Sequence, residues 1–233
     1  MKQWLWITRH SLNWERFCHS QVLSVENVLS KETREKCVAK LKAMPPLRVG
    51  NELPTRKAAV LVPLCIVDGA VSLLYTLRSS GLKSYRGHVS FPGGVKDEAD
   101  ESLEETALRE TEEELGISKG YVDIWGHANF IGTAQQDMAV MPFVGCLGVI
   151  NLEQLHLNQE EVAAAFTVPL KQLCDPVNQR YTHFRGKYSL PVFTGGEYKI
   201  WGVTAVITHI VLSSLIPDVY KNRLRMLKFS RTV

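Results

Sequence analysis

Several features that would restrict function are scarce or missing in this 233-residue sequence. It has no run of about 18 uncharged apolar residues, so we expect no membrane-spanning helix. Its five cysteines are widely spaced without a Cys-x-x-Cys pair, which argues against a disulfide framework or a zinc site. A net charge of only +3 argues against a strongly basic nucleic-acid binder, although it leaves a local basic cleft open. Apolar residues make up 45% of the chain, enough for a folded core.

The first 24 residues carry a basic amphipathic pattern. Lys2, Arg9 and Arg16 recur every seven residues and fall on one stripe of a helix, and Glu15 is the one acid. A secretory signal needs a continuous apolar stretch, which polar residues prevent here. The pattern therefore favours a mitochondrial transit segment. A helix that stays folded or lies on a membrane surface is the alternative.

Composition changes along the chain predict four parts. They are a transit segment (1–24), a helical extension and linker (25–55), a main domain (56–217) and a tail (218–233). The extension predicts a charged helix over residues 26–44 that ends at Pro45-Pro46. The final residues read Arg-Thr-Val and not Ser-Lys-Leu, so no peroxisomal address is expected.

The main domain mixes strand and helix patterns. Asp68-Gly69 lies between two apolar runs and predicts a tight hairpin. Further strands are expected over Val122–Ile131 and Val140–Ile150, a short helix over Glu160–Phe166, and a last helix over Thr204–Leu215. This mixture predicts an α/β fold in which helices cover a mixed sheet.

An acidic helix that ends at Gly116 carries the most informative pattern. Its glutamates Glu110, Glu113 and Glu114 stand at i, i+3 and i+4 and should share one face. Their mutual repulsion would be relieved by a divalent cation, although acidic helices are also common as solvated surfaces. The Pro-Gly-Gly turn ahead of the helix strengthens the metal interpretation, because glycine lets backbone approach a phosphate closely.

Two motifs around this helix resemble the Nudix hydrolases. Residues 109–117, RETEEELGI, are similar to the second half of the Nudix box, with Thr111 in place of an aliphatic residue. The first half departs further, because Asp100 replaces a glutamate and one extra residue separates it from Arg109.

The departures resemble one branch of that family, the coenzyme A diphosphatases. Residues 74–94 carry that branch's upstream motif, LYTLRS followed by Lys83, Gly87 and FPGG, with Tyr75 and Lys83 in place of Leu and Arg. Segments 181–184, 190–193 and 200–205 are similar to the mitochondrial member of the branch.

The resemblance implies a Nudix fold, a Mg²⁺ or Mn²⁺ cofactor and a small-molecule substrate. The implied reaction cleaves the diphosphate of coenzyme A or acyl-coenzyme A into (acyl-)4′-phosphopantetheine and adenosine 3′,5′-bisphosphate. Alternative substrates are ADP-ribose, a dinucleotide or a capped RNA end, and a catalytically inactive binding module is a further alternative. No nucleic-acid partner is expected, and a homodimer is left open.

The resemblance also implies roles for particular residues. Glu110 and Glu114 are the implied metal ligands, Glu113 is a further ligand or the base, and Arg109 orients the carboxylates. A catalytic base near Glu160-Glu161 is the alternative to Glu113. The implied substrate-binding residues are Arg78, Lys83, Gly93 and Gly94.

Overall fold

The computed structural model describes residues 21–47, 56–82, 84–133, 138–184 and 188–221. Its strands are β1 (Arg56–Val67), β2 (Ala70–Arg78), β3 (Val89–Ser90), β4 (Gly93–Val95), β5 (Asp123–His127), β6 (Ile131–Gly132), β7 (Met138–Val149), β8 (Val162–Pro169), β9 (Gln179–Phe184) and β10 (Tyr188–Phe193). Its α-helices are α1 (Val25–Val28), α2 (Lys31–Ala43), α3 (Leu103–Leu115), α4 (Leu170–Cys174) and α5 (Gly202–Leu215). Within these ranges no helix is long and apolar enough to cross a membrane.

The main sheet has eight strands and is mixed, as predicted. Strand β1 is central and pairs in parallel with β7 and antiparallel with β2. Strand β8 adds to the far edge of β2, and β5 adds to β7. The short strands β3, β4 and β6 extend these pairings, whereas β9 and β10 form a separate two-stranded sheet.

Alternate residues of β1 divide the core between the two faces of the sheet. Ala59 and Leu61 pack with Ala107 of α3, whereas Val62 and Leu64 join the larger cluster that contains α5. This alternation follows from the two-residue period of a strand. The sheet is therefore covered by α3 on one face and by α2 and α5 on the other.

The hairpin prediction is confirmed, and one helix prediction is wrong. Asp68 and Gly69 both have positive φ, 50° and 74°, which the tightest hairpin turns require. Residues 160–166 do not form a helix, because Val162–Pro169 is strand β8, paired with β2 along its length. The open edge of β2 offers this segment ladder hydrogen bonds, and this tertiary pairing overrides the helix preference of its alanines.

The predicted N-terminal helix over residues 26–44 forms two helices that pack against the sheet. Ser30 begins α2 by accepting a hydrogen bond from the Thr33 N–H. Arg34 on α2 donates to the Asp123 carboxylate at 2.7 Å and to the Ile124 carbonyl at 2.8 Å, both in β5. The targeting segment, apart from residues 21–24, and the tail beyond residue 221 lie outside the described residues.

Truncating a buried side chain of α2 should therefore destabilise the whole domain. Leu41 is fully buried, and Leu41→Ala is expected to reduce the free energy of unfolding by about 3 kcal/mol, because it leaves a cavity in the core. Urea denaturation followed by circular dichroism measures this loss. Lys42→Ala on the exposed side of α2 is the control and should cost less than about 0.5 kcal/mol. An unchanged midpoint for Leu41→Ala would show that α2 does not support the domain.

Candidate active site

Local sequence defines helix α3, which supplies most of the site. The Ser102 hydroxyl caps its N-terminus by accepting from the Glu105 N–H at 3.1 Å, and Gly116 ends it in the left-handed conformation. Ala107, Thr111 and Leu115 recur every four residues along the helix, and all three are buried. The neighbouring face of the helix points toward strand β4, where the Pro-Gly-Gly turn lies.

The glycine turn brings backbone directly against a carboxylate. Strand β4 pairs with Ala59 and its neighbours in β1, beyond the point where β1 and β2 part. A Cβ on Gly93 would collide with the Ala59 carbonyl, and a Cβ on Gly94 would collide with the Glu110 carboxylate. Gly93 is thus required by the sheet, and Gly94 leaves the space that the Glu110 side chain occupies.

Three carboxylates meet beside this turn. One oxygen from each of Glu110, Glu114 and Glu161 lies within 4.8 Å of the others. Glu161 arrives from the start of β8, where its backbone carbonyl accepts a hydrogen bond from the Ser79 N–H at 2.8 Å. The predicted pair Glu110 and Glu114 is therefore brought together, with Glu161 as the third member.

Glu113 lies outside this carboxylate cluster. Its side chain is half exposed and accepts a hydrogen bond from Arg109 Nη1 at 2.9 Å. The sequence spacing places Glu113 near Glu114, but the helix turns Glu114 inward, to 2% side-chain exposure, and Glu113 outward.

Burial leaves one carboxyl oxygen of the cluster without a hydrogen-bond partner among the described residues. Glu114 Oε2 has no hydrogen-bond partner among the described residues, and Arg78 Nη1 lies 3.9 Å from Glu114 Oε1. Burial raises the pKa of Glu114 to about 8; Arg78 opposes this shift, and the charges of Glu110 and Glu161 add to it. Burial also raises the pKa of Glu110. An unpaired buried carboxylate oxygen beside two further carboxylates fits a divalent cation, which prefers oxygen ligands.

Arg109 anchors the other side of the cluster. It forms a two-pronged pair with Asp100, with Nε–Oδ1 at 2.8 Å and Nη2–Oδ2 at 3.0 Å, and also contacts Glu110 at 3.0 Å. Asp100 is buried and also accepts from Thr106 Oγ1 at 2.8 Å. The Arg109 hydrogen bonds hold the pKa of Asp100 well below its usual range. Asp100 therefore fixes the Arg109 guanidinium, whereas Ser102 caps the helix.

The predicted substrate-binding residues fall into two groups. Arg78, Gly93 and Gly94 all border the carboxylate cluster. Lys83 lies outside the described residues.

The chain is similar to known proteins over most of its length. A family model described as the NUDIX domain matches residues 55–189. A human protein named mitochondrial coenzyme A diphosphatase NUDT8 is 47% identical over 172 residues, 72% of each chain. A mouse protein of the same name is 40% identical over 208 residues, 87% of this chain and 97% of the relative. Nudix hydrolase 3 of Caenorhabditis elegans is 38% identical over 83% of this chain and 89% of the relative.

Proposed function

Because the chain belongs to the Nudix hydrolase family, we propose that it hydrolyses the diphosphate bond of coenzyme A and its acyl esters. The products are (acyl-)4′-phosphopantetheine and adenosine 3′,5′-bisphosphate. One contact carries the proposal: Arg78, from the segment that resembles the coenzyme A branch, reaches Glu114 of the carboxylate cluster. Two relatives that bear the name coenzyme A diphosphatase support the same substrate.

The carboxylate cluster is the proposed metal site. Glu110 and Glu114 would hold the cation, and the unpartnered Glu114 Oε2 is the atom that most needs one. Mg²⁺ and Mn²⁺ both suit an all-oxygen site. When bound, the cation would neutralise diphosphate oxygens and lower the pKa of a coordinated water.

The remaining side chains have positioning and proton-transfer roles in this proposal. Arg109 holds the Glu110 carboxylate in place while its own guanidinium is fixed by Asp100. Glu161 accepts the proton of the attacking water, because its carboxylate faces the cluster. Glu113 is the weaker candidate for the base, since Arg109 already binds it and it faces outward.

A product assay on the full chain tests the proposed activity. The enzyme is incubated with Mg²⁺ or Mn²⁺ and with coenzyme A, several acyl-coenzyme A esters, ADP-ribose, a dinucleoside polyphosphate and capped RNA, and products are resolved by chromatography. We expect adenosine 3′,5′-bisphosphate from the coenzyme A species and none after chelation of the metal. Cleavage of the other substrates alone would identify a different Nudix diphosphatase. An absence of any cleavage would indicate the inactive binding module.

We also propose that the protein acts in mitochondria. The human and mouse relatives carry mitochondrial names, and residues 1–24 have the basic amphipathic pattern of a transit segment. A reporter fused to residues 1–24 should colocalise with a mitochondrial marker. A diffuse cytosolic signal would contradict the proposal.

The domain limits and the oligomeric state remain predictions. We propose that residues 56–217 form the hydrolase domain with α1 and α2 packed against it. Light scattering coupled to size exclusion measures whether the full chain forms the homodimer that the sequence leaves open.

A further inference from the structure

A group of aromatic and basic side chains, from the segment before β3 and the segment before α5, has no role in the proposed chemistry. The group, here called the aromatic platform, consists of Tyr85, His88, Lys199 and Trp201. The His88 and Trp201 rings are 4.7 Å apart, and Tyr85 meets the edge of His88 at 5.7 Å. The Lys199 ammonium lies 5.8 Å from the centre of the Trp201 ring. Trp201 is nevertheless 44% exposed, so a large aromatic surface remains open to a ligand.

Backbone hydrogen bonds connect the platform to Arg78. The His88 carbonyl accepts a hydrogen bond from the Arg78 N–H at 3.0 Å, across the β2–β3 pair. Arg78 is the residue whose guanidinium reaches Glu114. Trp201 comes from the start of α5, which is attached to the same β3 strand by the hydrogen bond from Thr204 Oγ1 to the Val89 carbonyl at 2.9 Å. His88 of the platform is therefore the backbone partner of Arg78, whose guanidinium contacts the carboxylate cluster.

Helix stability does not explain a tryptophan at this position. Trp201 is the N-cap of α5, and its side chain makes no capping hydrogen bond. Serine, threonine, aspartate or asparagine would stabilise the helix end better, because their oxygens accept from first-turn N–H groups. The indole also leaves much of its surface in water and so contributes little to the core.

We propose that the aromatic platform binds the adenine base of the substrate, with Trp201 as the stacking surface and Lys199 as the cation for an adjacent phosphate. Nucleic-acid bases stack on exposed indole and imidazole rings, and the face of Trp201 that attracts the Lys199 ammonium is open to a base once that flexible side chain moves. The freed ammonium would then pair with a sugar phosphate. This inference rests on the proposed function, because it assumes that the substrate is an adenine nucleotide.

Binding of the reaction product tests the platform without any need for turnover. Calorimetry compares adenosine 3′,5′-bisphosphate with ribose 3,5-bisphosphate, which has the phosphates but no base. Trp201→Leu removes the aromatic face and keeps apolar bulk, and it should weaken binding of the adenosine ligand roughly tenfold while leaving the ribose ligand unchanged. Trp201→Phe should retain most of the affinity. The KM for coenzyme A should rise with Trp201→Leu by a similar factor, with kcat within about twofold.

An exposed aromatic residue outside the platform supplies the control. Tyr121 is 79% exposed, and Tyr121→Leu should change neither affinity. The platform assignment is wrong if Trp201→Leu binds the adenosine ligand as the wild type does, if it weakens both ligands equally, or if the wild type binds neither. If Trp201→Leu binds the adenosine ligand as the wild type does and still cleaves coenzyme A, the platform assignment is refuted and the proposed function stands. Base-dependent binding through Trp201 in a chain that cleaves no coenzyme A refutes the proposed function alone.

Discussion

Replacing Glu114 with glutamine is expected to reduce turnover roughly a thousand-fold or more, about 4 kcal/mol of transition-state stabilisation. Glu114 is the most buried member of the carboxylate cluster, and one of its oxygens has no protein partner among the described residues. Glutamine keeps the shape but removes the charge that a cation needs, and a bound metal contributes several kcal/mol to such reactions. Steady-state kinetics at saturating Mg²⁺ measure the loss.

Two controls show whether the loss of turnover in Glu114→Gln comes from the missing charge and not from misfolding: a substitution of a neighbouring glutamate and the pH dependence of stability. Glu112 is exposed on the same helix, so Glu112→Gln should leave turnover within about twofold.

Because the folded pKa of Glu114 is raised to about 8, the metal-free wild type should lose stability as the pH rises from about 4.5 to about 8, while the unfolded chain ionises and the folded one stays protonated. Glu114→Gln should remove this part of the pH dependence. Full activity of Glu114→Gln would refute the metal assignment.

Replacing Glu161 with glutamine is expected to lower kcat roughly a hundred-fold or more, whereas Glu113→Gln should lower it less than about tenfold. Glu161 faces the other two carboxylates of the cluster, and Glu113 is half exposed and paired with Arg109. A general base contributes this order of rate when it can reach the attacking water. The value of kcat measured for both variants at saturating substrate and Mg²⁺ checks the assignment.

The two glutamates form a matched comparison, because each substitution removes one charge and keeps the side-chain length. If Glu161 is the base, the loss from Glu161→Gln should appear in kcat and exceed the loss from Glu113→Gln by about tenfold or more. A large loss with Glu113→Gln and a small one with Glu161→Gln would assign the base to Glu113, as the sequence first suggests.

Local patterns predicted the parts of the fold that depend on neighbouring residues. The Asp68-Gly69 turn and the end of α3 at Gly116 could both be predicted from the sequence. Glycine, and to a smaller extent aspartate, adopt positive φ angles, so these residue types mark turns and helix ends. The mixed sheet with covering helices followed from the same alternation of apolar and polar segments. These features form from contacts within a few residues.

Contacts between distant segments could not be predicted in the same way. The segment containing Glu161 suggested a helix, and only its pairing with β2 makes it a strand that brings this carboxylate to Glu114. The choice between Glu113 and Glu161 depends on which side chain the packed helix turns inward. The stacking of His88 on Trp201 joins residues more than a hundred positions apart.

The sequence by itself determined the family, the acidic helix and two members of the carboxylate cluster, because these depend on residue types at fixed spacing along one helix and one turn. The tertiary structure decided the third carboxylate, the partner of Arg109 and the position of the aromatic platform. The physical reason is that burial and charge act through space. The pKa of Glu114 and the unpaired state of its oxygen arise only once β4, α3 and β8 pack together.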